Sequence, residues 1–228
     1  MSIGVSRAML LAFQHADSQF PSGGFAFSQG LEASARLTDR LGPFEFPGFL
    51  EVQLRHRWAS ADRVALTRAH RLGGDLDRLA ELDLEVEAST FIEGLRVGSR
   101  RNGAALLTFH LRLGTKGASA YRELIRLRKA PGHVAVVQGL LWQALGLDEE
   151  TAVAIAGYQA AALLTTAGLR LGLIGAVEAQ RLLGHALSIV CDLSASPVAD
   201  NEPIRSFTPQ SEIAVALHGS GGQRLFSN

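Results

Sequence analysis

The chain has 228 residues, 47% of them hydrophobic, enough to fill the core of one large domain or two small ones. Its 22 Lys+Arg balance its 22 Asp+Glu, so a formal net charge of +0 gives no general pull toward nucleic acid or anionic lipid and little repulsion between copies. Cys191 is the single cysteine, which excludes an intramolecular disulfide and any Cys-x-x-Cys motif and fits a reducing compartment.

Period-3.6 apolar spacing dominates and alternating Val/Ile/Thr stretches are nearly absent. This predicts an all-α chain, one helical bundle of roughly ten helices spanning 1–228. Met9, Leu10 and Phe13 mark a first helix. Its short apolar run breaks at Gln14-His15 without a small-residue cleavage pattern, so no signal peptide is expected and the location is expected to be cytoplasmic. Pro21, Gly23 and Gly24 then specify a turn bearing two large rings, Phe25 and Phe27. Ser28 caps a second helix reaching about Arg40, with Glu32 near the positive end of its dipole.

Gly42-Pro43 interrupts, and Pro47 opens a helix through Phe49, Leu50, Leu54 and Trp58, bent or restarted at Ser60-Ala61-Asp62. Gly73-Gly74-Asp75 reads as a stop and a cap before the stripe Leu76, Leu79, Leu82 and Val86. Residues 89–113 carry Phe91, Leu95, Leu106, Leu107 and Leu111, with a break expected at Gly103. After a loop at 114–117, helices are expected around Tyr121 to Leu127 and over 134–145. Asp148 caps a long apolar stretch to Leu173, and Gly175 separates it from 177–193. Pro197, Pro203 and Pro209 make 194–209 an extended loop, followed by a short helix at 210–217 and a flexible tail at 218–228.

Residues 151–169 contain no charged side chain. A membrane span over 151–173 is one reading of that run. Gln159, Thr165, Thr166 and much alanine favour a core or dimer-interface helix instead, with Ala160, Ala161, Ala162 and Gly168 allowing close helix approach.

The residues offer little for an enzyme. Gly114-Thr115-Lys116-Gly117 lacks the order of a phosphate loop, and no Gly-x-Ser-x-Gly or His-Glu-x-x-His string occurs. The seven histidines form no i,i+3 or i,i+4 pair, so no single helix presents a two-His metal face; Cys191 and His218 are the nearest to metal contacts, and neither is assigned. Glu81, Asp83, Glu85 and Glu87 read as a solvated face, and Arg96, Arg100 and Arg101 as salt-bridged surface. Arg170 either satisfies carbonyls at a helix C-terminus or faces a partner.

Residues 21–32 resemble the N-terminal signature of the UreF family of urease accessory proteins, Pro-x-Gly-(Gly/Ala)-Phe-x-(Tyr/Phe/His)-Ser-x-Gly-Leu-Glu. Pro21, Gly23, Phe25, Ser28, Gly30, Leu31 and Glu32 match, and Phe27 replaces the commoner Tyr. Residues 170–180 are similar to a second family string, matching at Arg170, Leu171, Gly175 and Gln180, with Leu173 in place of the usual Pro and Ala176 in place of Gln. Pro209, Ile213, His218, Arg224, Leu225 and Phe226 keep the order of the family's C-terminal pattern, with Gly219 where Glu is usual.

The resemblance implies an all-α dimer with no catalytic residues and no cofactor of its own. It would act as an adaptor or chaperone in urease maturation, bridging UreD (UreH in some species) and the GTPase UreG for nickel insertion into apo-urease, with no nucleic-acid or membrane partner. Phe25, Phe27, Arg224, Leu225 and Phe226 are the expected partner anchors, and Glu32, Arg170 and Gln180 the next candidates for an interface or channel. Two rivals differ in class: a small helical membrane protein, and a helical metal-dependent enzyme whose metal is assembled across helices.

Overall fold

The apolar periodicity resolves into helices. The computed structural model describes residues 6–21, 28–37 and 41–218, and among these there is no strand. In chain order the elements are α1 (Arg7–Ala16), α2 (Leu31–Leu37), α3 (Phe46–Gln53), a π-helical stretch (Leu54–Asp62), α4 (Arg63–Leu72), α5 (Leu76–Ser89) and α6 (Glu93–Arg112). There follow α7 (Ala118–Arg126), α8 (Val134–Ala144), α9 (Glu149–Arg170), α10 (Ala176–Ser194) and α11 (Pro209–His218). Since α3, the π-helical stretch and α4 run on as one rod, the described residues form ten rods, in line with the roughly ten expected.

Three apolar clusters hold the rods together. The largest joins Leu66 of α4, Leu79 and Leu82 of α5, Leu106 and Leu107 of α6, Tyr121 of α7 and Leu140, Leu141 and Trp142 of α8. A second packs Phe46, Leu50, Leu54 and Trp58 against Ala161 and Leu164 of α9 and Leu182, Ala186 and Ile189 of α10. A small third cluster joins Ala33 of α2, Leu95 of α6 and Ala214 and Val215 of α11. The closest crossings rest on glycine. A Cβ at Gly139 would come within 2.6 Å of both the Leu66 carbonyl and the Ala69 methyl, so α8 lies almost backbone to backbone on α4.

Helix α9 is the one helix among the described residues long and apolar enough to cross a membrane, yet 61% of its most apolar window is buried inside the fold. Its small residues serve packing within the chain. Gly157 faces Trp58 and Val190, Gly168 faces the Phe46 ring, and Ala160 and Ala161 are buried, while Ala162 is half-exposed.

Several expectations need correction. No break occurs at Gly103: α6 runs straight through it, and the residue is glycine because a Cβ would fall on the Gly132 carbonyl oxygen. Ser60-Ala61-Asp62 does not restart the helix but lies at the end of a π-helical stretch that runs on into α4. Met9, Leu10 and Phe13 do lie on a first helix as expected, though they are more than half exposed and it is His15 that α1 buries.

The segment at 195–208 is extended as expected, but it is strapped along the rod. Arg63 donates to the Leu193 and Ser196 carbonyls, Arg68 to the Glu202 carbonyl, and Arg71 to the Val198 carbonyl and the Asp200 carboxylate. The Arg205 and Phe207 amides in turn donate to the carbonyls of Ser60 and His56, both in the π-helical stretch.

The helix break after Arg170 survives the replacement of the family's proline. Gly172 adopts φ 71°, its amide donates to the Leu169 carbonyl, and the Leu173 amide donates to the Gly168 carbonyl at 3.0 Å. This is a Schellman stop, and it uses the very N–H that a proline at Leu173 would lack.

Candidate partner-docking surface

The described parts of the two terminal family strings, residues 28–32 and 209–218, meet in space. Gly30, at φ 85°, turns the backbone out of the N-terminal motif into α2. A Cβ there would lie 3.1 Å from Val215, and one at Gly94 would lie 2.7 Å from the same side chain. Val215 of α11 is therefore wedged between the N-terminal turn and the first turn of α6. Helix α11 is seated further by the Gln53 amide, which donates to Ser211 Oγ at 2.7 Å. Pro209 opens it, and Glu212 accepts from the Thr208 hydroxyl and amide. Around this seat Leu37, Phe91, Ile213 and Leu217 all stand exposed, Phe91 at 80%.

The sequence-predicted residues fall into three groups. Phe25, Phe27, Arg224, Leu225 and Phe226 lie outside the described residues, as does the side chain of His218. Their attachment points, Ser28 and α11, are neighbours. Glu32 is buried, its amide donates to Ser28 Oγ at 3.3 Å, and its carboxylate pairs with Arg36 at 2.8 Å, so it organises α2 from beneath. Arg170 ends α9 half-buried, and Gln180 is exposed on the outer face of α10 beside Val177.

The acidic stretch of α5 is not the solvated face expected. Asp83 is fully buried and accepts from the Tyr121 hydroxyl at 2.7 Å and from the Gly132 and His133 amides. Burial lifts its carboxyl above the ordinary value, opposed by those hydrogen bonds and by His133. His133 is wholly buried between Glu87 (Nε2, 2.8 Å) and Ser99 (Nδ1, 3.0 Å). Ser, His and Glu are triad residue types, but here Ser99 Oγ also accepts from the Val134 amide. Their arrangement braces α5, α6 and the start of α8. Around it Glu87 and Glu93 pair with Arg96 and Arg100, so that part of the basic stretch is salt-bridged as expected. The one signal for this cluster was the position of His133 just before an apolar helix.

A second unexpected feature is a stack of His15 on His110, ring centroids 5.4 Å apart, edged by Phe20, Phe109 and Trp142. Desolvation lowers both pKa values, that of His110 to about 4 with the help of the neighbouring imidazole. Neither Nε2 has a hydrogen-bond partner. Among the described residues no group of three or more His, Cys, Asp or Glu is placed to hold a metal ion, and Cys191 is exposed and free.

Outside this stack α1 and α9 leave a groove of about 1210 Å³ between them. Met9, Phe13 and Phe20 line one wall, Ile155, Tyr158 and Leu163 the other, with Asp148 and Glu150 at one end.

Comparison with known proteins gives this architecture its family. The UreF family model matches residues 43–187, well over half of the chain. That range begins after the N-terminal motif and ends short of the C-terminal one. Full-length relatives cover both: the chain is 29% identical to the urease accessory protein UreF of Trichodesmium erythraeum over 96% of each chain. It is 30% identical to UreF 1 of Brucella melitensis biotype 1 over 96% of this chain and 92% of the relative, and 29% identical to UreF of Kocuria rhizophila over 96% of each. A helical body with no strand among its described residues, an exposed apolar seat where the described flanks of the two terminal family strings meet, and relatives matched over 96% of the chain make one conclusion: the chain belongs to the UreF family, the non-catalytic accessory proteins of urease maturation.

Proposed function

We propose that this protein is a cytoplasmic adaptor that joins UreD/UreH to the GTPase UreG during nickel delivery to apo-urease, and that it works as a homodimer. The observation that carries the reading is the Val215 wedge, because it brings together Gly30 and α11, the described flanks of the N-terminal and C-terminal motifs. Phe25 and Phe27 follow one arm of that junction and Arg224, Leu225 and Phe226 the other. The aromatic and arginine side chains of these two strings, together with exposed Phe91, Ile213 and Leu217, supply the contact chemistry that concentrates binding energy at protein interfaces. In this arrangement Glu32 acts by positioning α2 and not by touching a partner, while Arg170 and Gln180 mark a second contact area on the α9–α10 end. The α1–α9 groove, apolar and flanked by Met9 and Phe13, is the proposed seat of the second copy.

Deleting residues 223–228 tests the reading. The variant is expected to keep its helical circular dichroism and melting temperature, because every described member of the three clusters is retained. It is expected to lose co-purification with UreD and UreG. Undiminished co-purification overturns the assignment of the tail.

A further inference from the structure

The π-helical stretch, α6, α8 and α9 enclose a second, much smaller cavity of about 70 Å³. Its lining is unlike that of a core void. Arg57 is 93% buried by its 7% exposure, and its Nε makes no hydrogen bond. The nearest counter-charge, Asp62 Oδ2, lies 3.7 Å away, beyond hydrogen-bond reach, at the half-buried rim. Trp58 lines the same space, and its indole N–H has no acceptor. Asn102 lines it too, 8% exposed, its side chain making no hydrogen bond to any described residue. Three donor-bearing side chains thus share one enclosure with a single offset carboxylate.

Burying a guanidinium whose Nε–H finds no acceptor is costly, so such groups are found with an anion, a carboxylate or ordered water. We infer that this cavity binds a small planar oxyanion, a carboxylate or hydrogencarbonate, held by Arg57 with Trp58 and Asn102 donating beside it. The geometry favours that class over its rivals. A cation is repelled by Arg57, and a nucleotide exceeds the room. Two waters, at ~30 Å³ each, fit the volume but leave the guanidinium charge only loosely compensated. The π-helical turn is what makes the site, because its wider winding sets Arg57, Trp58 and Asp62 in one enclosure.

Sodium formate is the probe, titrated against the full chain at constant ionic strength with chloride as the reference. Wild-type protein is expected to melt about 3 °C higher for each tenfold rise in formate above its Kd, and to give a saturation-transfer signal from ¹³C-formate that nitrate displaces. Arg57→Met removes both effects. Asp62→Asn, which deletes the competing carboxylate and keeps Arg57, tightens formate binding by roughly fivefold or more. Should Arg57→Met fail to fold, the Asp62→Asn comparison decides the matter by itself. A wild-type melting temperature that does not distinguish formate from chloride overturns the proposal, as does equal formate affinity in wild type and Asp62→Asn.

Discussion

His110 sits where an imidazolium has nothing to offset its charge: it is fully buried, faced by His15 of α1, Phe20 of the following turn and Phe109 of its own helix, with Thr115 Oγ1 on Nδ1. The fold therefore stabilises the neutral ring, and its folded pKa of about 4 lies below the unfolded value near 6.5. The sign follows from linkage. Above pH 6.5 this contribution is fully present. As pH falls from about 6.5 to about 4 the unfolded chain takes up a proton that the folded chain refuses, and up to about 3 kcal/mol of stability is lost. Asp83 and Asp62, whose carboxyls burial lifts, work in the opposite sense, since the folded chain protonates them first. Replacing His110 with Phe keeps the aromatic packing and removes the titration. Urea unfolding free energies at pH 7 and pH 5 are expected to differ by at least 1 kcal/mol less in His110→Phe than in wild type. An unchanged difference assigns the acid sensitivity elsewhere.

At the scale of the element, most helices were legible because their caps and stripes are local. Asp75 and Asp148 cap α5 and α9 through the Arg78 and Thr151 amides, as their positions imply. What was not legible depends on partners distant in sequence. Gly103 reads as a breaker, and only Gly132, brought over it by the fold, explains its lack of a side chain. Asp83 and Glu87 read as surface because their ligands come from α7, α8 and the turn at Gly132. Arg128, at φ 57°, ends α7 in a conformation usually given to glycine, and nothing in its identity announces that. The proline-rich strap was legible as extended, whereas its fastening to α4 came only from the arginine geometry. That fastening has a measurable consequence. Arg71→Met frees the Val198 carbonyl and Asp200, and elastase cleavage near Val198 is expected to quicken roughly tenfold while the melting temperature changes little. An unaltered cleavage rate means that Arg63 and Arg68 hold the strap alone.

Across the whole molecule, zero net charge, a buried apolar α9 and two exposed apolar faces describe a body built to be covered by others. One face is the α1–α9 groove. Phe13→Asp places a charge at its centre without touching the core, and light scattering is expected to show a dimer for wild type and a monomer for the variant. A variant that remains dimeric moves the self-contact to another surface.

The other face is the junction of α2, α6 and α11, which the two terminal family strings flank in sequence. The central claim is that this body links proteins that do not hold one another without it. Tagged UreD, mixed with UreG and GTP in the presence or absence of this chain, measures that link directly. UreG is expected to be retained on UreD only when the chain is present; equal retention in its absence contradicts the account.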